Sequence, residues 1–144
     1  MKFSTKIRYG IRTMLEISLN EREEGILQKE IAARQNLSFK YLDQIISALK
    51  TSGLITNVKG KKSGYKLTRK PSDISILDIH NAFEPCVCIV DCLSEHVDCP
   101  IDKRCAPKVL WDGLNRQIEE YLSSNTLQDL KDKQIELNSP EKEL

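Results

Sequence analysis

The chain has no cysteine before residue 86 and none after residue 105. It has no apolar run long enough to cross a bilayer, which leaves no membrane partner to expect. Its first twenty residues carry charges throughout and contain no apolar core of a signal peptide. The expected location is therefore cytoplasmic, where thiols are kept reduced. There is no nucleophile–base pair, no phosphate-cradling Gly loop and no carboxylate pair in an evident pocket, so an enzyme is not expected. No internal repeat is found, and 144 residues fit one domain with an added dimerisation element.

What is present begins with charge. The net of +1 hides two opposed halves. Residues 1–70 hold 15 Lys+Arg against 6 Asp+Glu, a net of +9, and residues 71–144 hold 7 against 15, a net of −8. A basic half joined to an acidic one points to a polyanion partner for the first half only.

The basic half reads as helices first. Ile7, Ile11, Met14, Leu15 and Leu19 recur at helical steps over 5–20, with Ser4 or Thr5 as cap and Lys6, Arg8 and Arg12 on other faces. A second helix over about 27–35 ends at Asn36, which tolerates the left-handed turn. Ser38 caps a third, about 39–51, which buries Leu42, Ile45, Ile46 and Leu49 and stops at Gly53. Two short helices joined by a tight turn form a helix-turn-helix, whose second helix enters the major groove by its N-terminal end. Ser38, Lys40, Tyr41 and Gln44 are the outward candidates there. Gln can bond adenine in bidentate fashion, Lys can reach guanine or a phosphate, and Ser and Tyr can hold phosphates.

LITNV (54–58) and YKL (65–67) flank KGKKSG and read as a β-hairpin in which Gly60 and Gly64 supply turn conformations. Its tip carries Lys59, Lys61 and Lys62, and a hairpin after a recognition helix is the wing of a winged helix-turn-helix. The competing reading is a charged, solvated turn.

The acidic half starts at Pro71. A short helix over about 75–83 is capped by Ser75 with Asp78 three residues on. Ala106-Pro107 opens a long helix to about Ser123, with Leu110, Leu114, Ile118, Tyr121 and Leu122 as an apolar stripe. Such a stripe needs a partner, and a homodimer is the economical one. A weaker helix follows from Thr126 to about Gln134, and a polar tail ends the chain.

All five cysteines fall in CVCIVDCLSEHVDCPIDKRC, residues 86–105. Cysteines crowded in a reducing compartment bind metal or sense redox state more often than they form disulfides. The spacings contain no Cys-x2-Cys knuckle of a zinc ribbon and no ferredoxin run. The wider loops between Cys92, Cys99 and Cys105 can bring three thiolates together, and Cys105 lies at a helix start that favours the anionic thiolate. Spacing leaves an iron–sulfur cluster, zinc and a thiol switch all open.

These residues together resemble the IscR/NsrR family of winged-helix regulators over about residues 1–130. The likeness is carried by Lys6-Ile7-Arg8-Tyr9, Leu37-Ser38, Tyr41-Leu42-Asp43-Gln44-Ile45, Leu49, Gly53-Leu54 and GKKSGYKL. It extends through the Ile74–Ala82 helix and the three cysteines that precede a Leu-Trp-bearing long helix. The resemblance implies operator binding as a homodimer and a 2Fe–2S or 4Fe–4S cluster, with Cys92, Cys99 and Cys105 as its ligands and 2Fe–2S favoured. Two departures leave the fourth ligand open. The histidine of the iron–sulfur-biogenesis branch is replaced by Lys108, and the acidic residue that some nitric-oxide sensors carry near position 8 is replaced by Arg8. His96, Cys86 and Cys88 are the remaining candidates.

The expectation is a mainly α protein with a small β-hairpin. It comprises a winged helix-turn-helix DNA-binding domain at 1–70, a connecting helix and cluster loop at 71–105, a dimerisation helix and a short C-terminal helix at 106–134, and a flexible tail at 135–144. Its function is transcription regulation on double-stranded operator DNA, under control of an iron–sulfur cluster that reads iron–sulfur status, redox state or nitric oxide. DNA contacts are expected from Lys6, Arg8, Ser38, Lys40, Tyr41, Gln44, Lys59, Lys61 and Lys62. The rivals are the same dimer with a cluster-free thiol switch or zinc, and a protein-interaction module without specific DNA binding.

Overall fold

A computed structural model describes residues 2–60 and 63–140. Helix α1 spans Thr5–Leu19, and Ser4 caps it by accepting the Ile7 N–H on Oγ at 3.2 Å. Helices α2 (Gln28–Gln35), α3 (Phe39–Thr51), α4 (Ile76–Asn81) and α6 (Leu127–Asn138) all pack on α1, so it buries more than one stripe. Ile7, Met14 and Ile17 are fully inside together with the small Thr13 and Ser18, while Ile11, Leu15 and Leu19 are half-buried.

Helix α2 (Gln28–Gln35) ends where Asn36 takes φ 52° and the Leu37 N–H returns to the Ala32 carbonyl at 3.0 Å. Ser38 then caps α3 (Phe39–Thr51), accepting the Tyr41 N–H at 3.1 Å. Leu42, Ile45, Ile46 and Leu49 are its buried face, as the periodicity predicts. Gly53, at φ 76°, closes α3: the Leu54 N–H reaches Leu49 O and the Gly53 N–H reaches Lys50 O, at 3.1 and 3.0 Å. This Schellman closure satisfies carbonyls that the helix end leaves open.

The wing is β1 (Ile55–Asn57) antiparallel to β2 (Tyr65–Leu67), with Ile55 opposite Leu67. The free edge of β2 pairs with Ile26, through Ile26 N–H to Tyr65 O at 3.0 Å and Tyr65 N–H to Ile26 O at 2.8 Å. Gly60 has φ 140° and supplies a turn, but Gly64 is needed for a different reason from the one its sequence suggests. A Cβ on Gly64 would lie 2.5 Å from the Gly25 carbonyl carbon, so close backbone approach demands it. Lys61 and Lys62 lie outside the described residues.

Beyond a 3-10 turn at Pro71–Asp73, α4 (Ile76–Asn81) carries the Ser75/Asp78 capping box. The long helix α5 spans Ala106–Ser124, and α6 spans Leu127–Asn138. Residue 70 does not separate two cores: Ile74, Ile76, Ile79 and Leu127 share one cluster with Met14, Ile31 and Leu42. The α5–α6 corner is stitched to the segment before α4 by Ile76 N–H to Asn125 O at 2.9 Å and Leu127 N–H to Ile74 O at 2.8 Å. Helix α6 thus lies back on α1 instead of extending α5, and it runs through Asn138, past the expected end at 134. Leu130 anchors it to the core, and Lys131 reaches Glu21 at 3.2 Å.

Leu127 is fully buried at that corner. Leu127→Ala is expected to cost about 3 kcal/mol of unfolding free energy, from lost transfer plus a cavity. Denaturant unfolding checks this, and a loss below about 1 kcal/mol would show that α6 is not part of the cooperative core.

Candidate nucleic-acid interface and cysteine site

The outer side of α3 carries the groove-reading candidates. Ser38, Lys40 and Gln44 are exposed, and Tyr41 is half-buried. The Ser38 oxygen accepts the cap bond, while its O–H is still able to donate to a phosphate. Tyr41 meets Tyr9 edge-on with ring centroids 5.9 Å apart, and the Arg12 guanidinium lies 4.8 Å over the Tyr9 ring. Arg12 also donates to Gln35 Oε1 at 2.6 Å, so the start of α3 is braced on α1 and α2.

Gln28 performs a task that sequence reading missed. Its Nε2 donates to Asp43 Oδ1 at 2.9 Å, and its Oε1 accepts from the Tyr65 hydroxyl at 3.3 Å. One side chain thereby ties the wing strand β2 to the recognition helix and sets their mutual position. At the start of α2 the Leu27 N–H, and then the Arg22 guanidinium, hold the Glu30 carboxyl below the usual carboxylate range. The first turn of α2 therefore keeps its stabilising negative charge.

Lys59 is exposed on the wing, and Lys6 is exposed one turn before Tyr9, on the side of α1 that meets α3. Arg8 is elsewhere. It lines a groove of about 800 Å³ with Phe3, Ile76, His80, Glu84 and Leu122, between α1, α4 and α5. Successive helical residues are about 100° apart, so with Tyr9 against α3 the neighbouring Arg8 falls on another face. The structure does not group Arg8 with Gln44 and Lys40.

The loop from Glu84 to Cys105 holds only two short 3-10 turns, Asp91–Leu93 and Asp102–Arg104. Cys92, Cys99 and Cys105 are free thiols, each half-buried. Cys92 and Cys99 line one open hollow with Asp98, Asp102 and Lys108. Cys105, the residue before α5, lines the adjoining hollow, which shares Asp102 and Lys108 with the first. Among the described residues no three Cys, His, Asp or Glu side chains converge closely enough to enclose a metal ion. The donor set suits a soft metal or an iron–sulfur centre, and it lies as neighbours around one ion pair without closing.

That ion pair is Lys108 with Asp102. The Asp102 carboxylate holds the lysine above its ordinary range, and Cys92 and Cys99, once ionised, push in the same direction. Lys108 therefore stays protonated, a counter-charge to thiolates and no ligand. His96 is exposed and lines neither hollow. Cys86 and Cys88 are paired with each other as a disulfide, and in that state neither offers a thiolate. None of the three fourth-ligand candidates is brought to the site.

Residues 3–133 match the model of the Rrf2 family, described as iron-dependent transcriptional regulators. The chain belongs to the Rrf2 family. It is 35% identical over 130 residues to the protein Rrf2 of Nitratidesulfovibrio vulgaris, covering 90% of this chain and 87% of that protein. It is 32% identical over 136 residues to the regulator IscR of Vibrio atlanticus, covering 94% and 78%. Among solved structures, IscR of T. potens matches with TM-score 0.76 and 33% identity over 96% of this chain and 92% of that one. CymR, described as the global cysteine regulator of B. subtilis, matches with TM-score 0.75 and 34% identity over 92% and 98%. As an Rrf2 protein the chain is a DNA-binding transcriptional regulator with a winged-helix fold, and it is not an enzyme. Among the described residues no helix is long and apolar enough to cross a membrane.

Asn115 is the other residue that sequence reading passed over. It interrupts the apolar side of α5 between Leu114 and Ile118, yet it is only 8% exposed. A mid-helix asparagine is locally unfavourable, which is the signal that could have marked it.

Proposed function

We propose that this Rrf2 regulator acts in the cytoplasm as a homodimer on a twofold operator, and that an iron–sulfur cluster held by Cys92, Cys99 and Cys105 sets its affinity. A 2Fe–2S centre is the preferred form, and 4Fe–4S suits the same thiols. The observation that carries this reading is the placing of three free, half-buried thiols around the Lys108–Asp102 pair, where the loop enters α5. When bound, the cluster supplies a labile, oxidisable link among the three thiolates, which suits a reader of iron–sulfur status, redox state or nitric oxide.

The chain's own residues convert loop order into DNA affinity. The loop joins α4, which belongs to the winged unit's core, to α5, whose apolar stripe is open to a second copy. A loop fixed in one shape fixes the angle at which α5 leaves α4. In a dimer that angle sets the distance between the two α3 helices, which must match half-sites about 34 Å apart. Ser38, Lys40, Tyr41 and Gln44 read the groove, and Lys6, Lys59, Lys61 and Lys62 hold the backbone.

The test is an anaerobic absorption spectrum with iron, sulfide and zinc assays, followed by operator titration of the loaded and cluster-free protein. At least a tenfold affinity difference, roughly 1.4 kcal/mol, is expected. Equal affinities, or zinc without sulfide, overturn the reading. The DNA roles separate by substitution. Lys59→Ala is expected to weaken all sequences alike and lower the salt slope by about 1. Gln44→Ala is expected to cost about 1–3 kcal/mol at one adenine position and to leave nonspecific binding unchanged.

A further inference from the structure

Cys86 and Cys88 stand apart from the other three cysteines. Their Cα atoms are 5.8 Å apart, inside the span of a disulfide, and their sulfurs are paired. Cys86 is exposed to solvent, whereas Cys88 is half-buried beside Phe3, His80 and Ile118. Val87 between them is 5% exposed. Its carbonyl accepts from Asn115 Nδ2 at 2.7 Å, and the Ile89 N–H donates to Asn115 Oδ1 at 3.0 Å. A single buried amide on α5 thus holds residues 87–89 as a neighbouring strand would, with Cys88 between the two bonded groups.

Such a pair is a poor structural staple. The entropy a cross-link removes grows with the logarithm of loop length, and here the loop encloses one residue. A dithiol with one sulfur reachable and its partner sheltered next to it is suited to exchange.

We propose that Cys86 and Cys88 form a reversible thiol–disulfide centre, separate from Cys92, Cys99 and Cys105, whose oxidised form fixes segment 87–89 on Asn115 of α5. The oxidant is a low-molecular-weight disulfide. The Cys86 thiolate attacks one of its sulfurs, the reagent's S–S bond breaks, and one reagent thiolate leaves. The Cys88 thiolate then attacks the Cys86 sulfur of the mixed disulfide and expels the second. Two protein thiols have lost two electrons and two protons, and the reagent disulfide has become two thiols. Closing the ring removes the freedom of the 86–88 backbone, so the two bonds to Asn115 form on a segment already shaped for them. The centre acts on α5 directly and does not depend on the cluster reading.

The test uses the full chain in anaerobic glutathione buffers of stepped reduced-to-oxidised ratio, quenched by alkylation, with thiols mapped by peptide mass. Cys86 and Cys88 are expected to lose alkylation together, in one intramolecular bond, both in the wild type and in the triple variant Cys92→Ser, Cys99→Ser, Cys105→Ser. In Cys88→Ser, oxidation should stop at a mixed disulfide on the exposed Cys86. Amide exchange at Ile89 should be roughly fivefold slower in the oxidised than in the reduced protein, the effect of about one net hydrogen bond. In Asn115→Ala that difference should vanish while the pair still forms. Mixed disulfides alone in the wild type, or bonding of Cys86 or Cys88 to one of the other three cysteines, would overturn the centre. Unchanged Ile89 exchange would overturn its link to α5.

Discussion

Cys92→Ala protein purified without oxygen is expected to be colourless and to hold neither iron nor sulfide, while wild-type protein prepared alongside is coloured. The size of this effect follows from the donor inventory. Three thiolates are the protein's contribution to the centre, and Lys108, held protonated by Asp102, cannot replace a lost one. The substitution tests the site without testing the fold. Cys92 is half-buried in a short 3-10 turn outside the core cluster, so the unfolding free energy should change by about 1 kcal/mol or less. Two contrasts sharpen it. Cys86→Ser and His96→Ala should both keep the colour, since Cys86 is engaged with Cys88 and His96 faces solvent away from both hollows. A fully coloured triple variant of Cys92, Cys99 and Cys105 would refute the cluster. Wild-type protein that carries one zinc and no sulfide would move the same thiols to a different chemistry.

Local chemistry makes much of this molecule legible in its sequence. Ser4, Ser38 and Ser75 cap helices because their oxygens can take up orphan N–H groups. Asn36 and Gly53 end helices because they tolerate positive φ. The inward face of α3 follows from its period. What was not legible depends on residues far apart in the chain. Nothing near Leu127 announces that its N–H will bond to Ile74 O and seat α6 on α1. Gly64 looks like a turn glycine until the 24–26 segment is seen against it. Arg8 belongs to a basic run, yet helix rotation carries it to the α4–α5 side. The cysteine spacings tell which donors are available, whereas closure of the three hinges on a loop with almost no regular structure of its own.

The second large effect concerns α5. Leu110→Glu with Leu114→Glu is expected to convert the protein from twice the chain mass to the chain mass in size-exclusion chromatography with light scattering, and to lower operator affinity at least a hundredfold. Val109, Leu110 and Tyr121 are 74%, 64% and 69% exposed, and Trp111 and Leu114 lie beside them on the same helix. Scattered apolar residues on a surface need no partner. Ile118 and Leu122 of the expected stripe are half-buried against the chain itself. Leu110, Leu114 and Tyr121 share one face of α5, with Val109 and Trp111 flanking it, and such an exposed face does need a partner. Burying it is worth about 25 cal/mol for each Å² removed from water, and two carboxylates at its centre would have to be desolvated unpaired. Neither leucine belongs to the core cluster, so the variant should keep its helical content and cooperative unfolding, with a midpoint that no longer depends on protein concentration, which separates lost assembly from lost fold. The fall in affinity follows from geometry. A dimer that has placed one α3 in its half-site presents the other at high effective concentration, typically a gain of 10²–10⁴, and a monomer forfeits this while keeping every groove contact. A single half-site should therefore bind the variant and the wild type about equally. Should the variant remain dimeric, the interface lies elsewhere, and the groove between α1, α4 and α5 becomes the surface to mutate. Should it be monomeric with undiminished operator affinity, the link from loop to α5 to half-site spacing fails, even if the cysteines do hold a cluster.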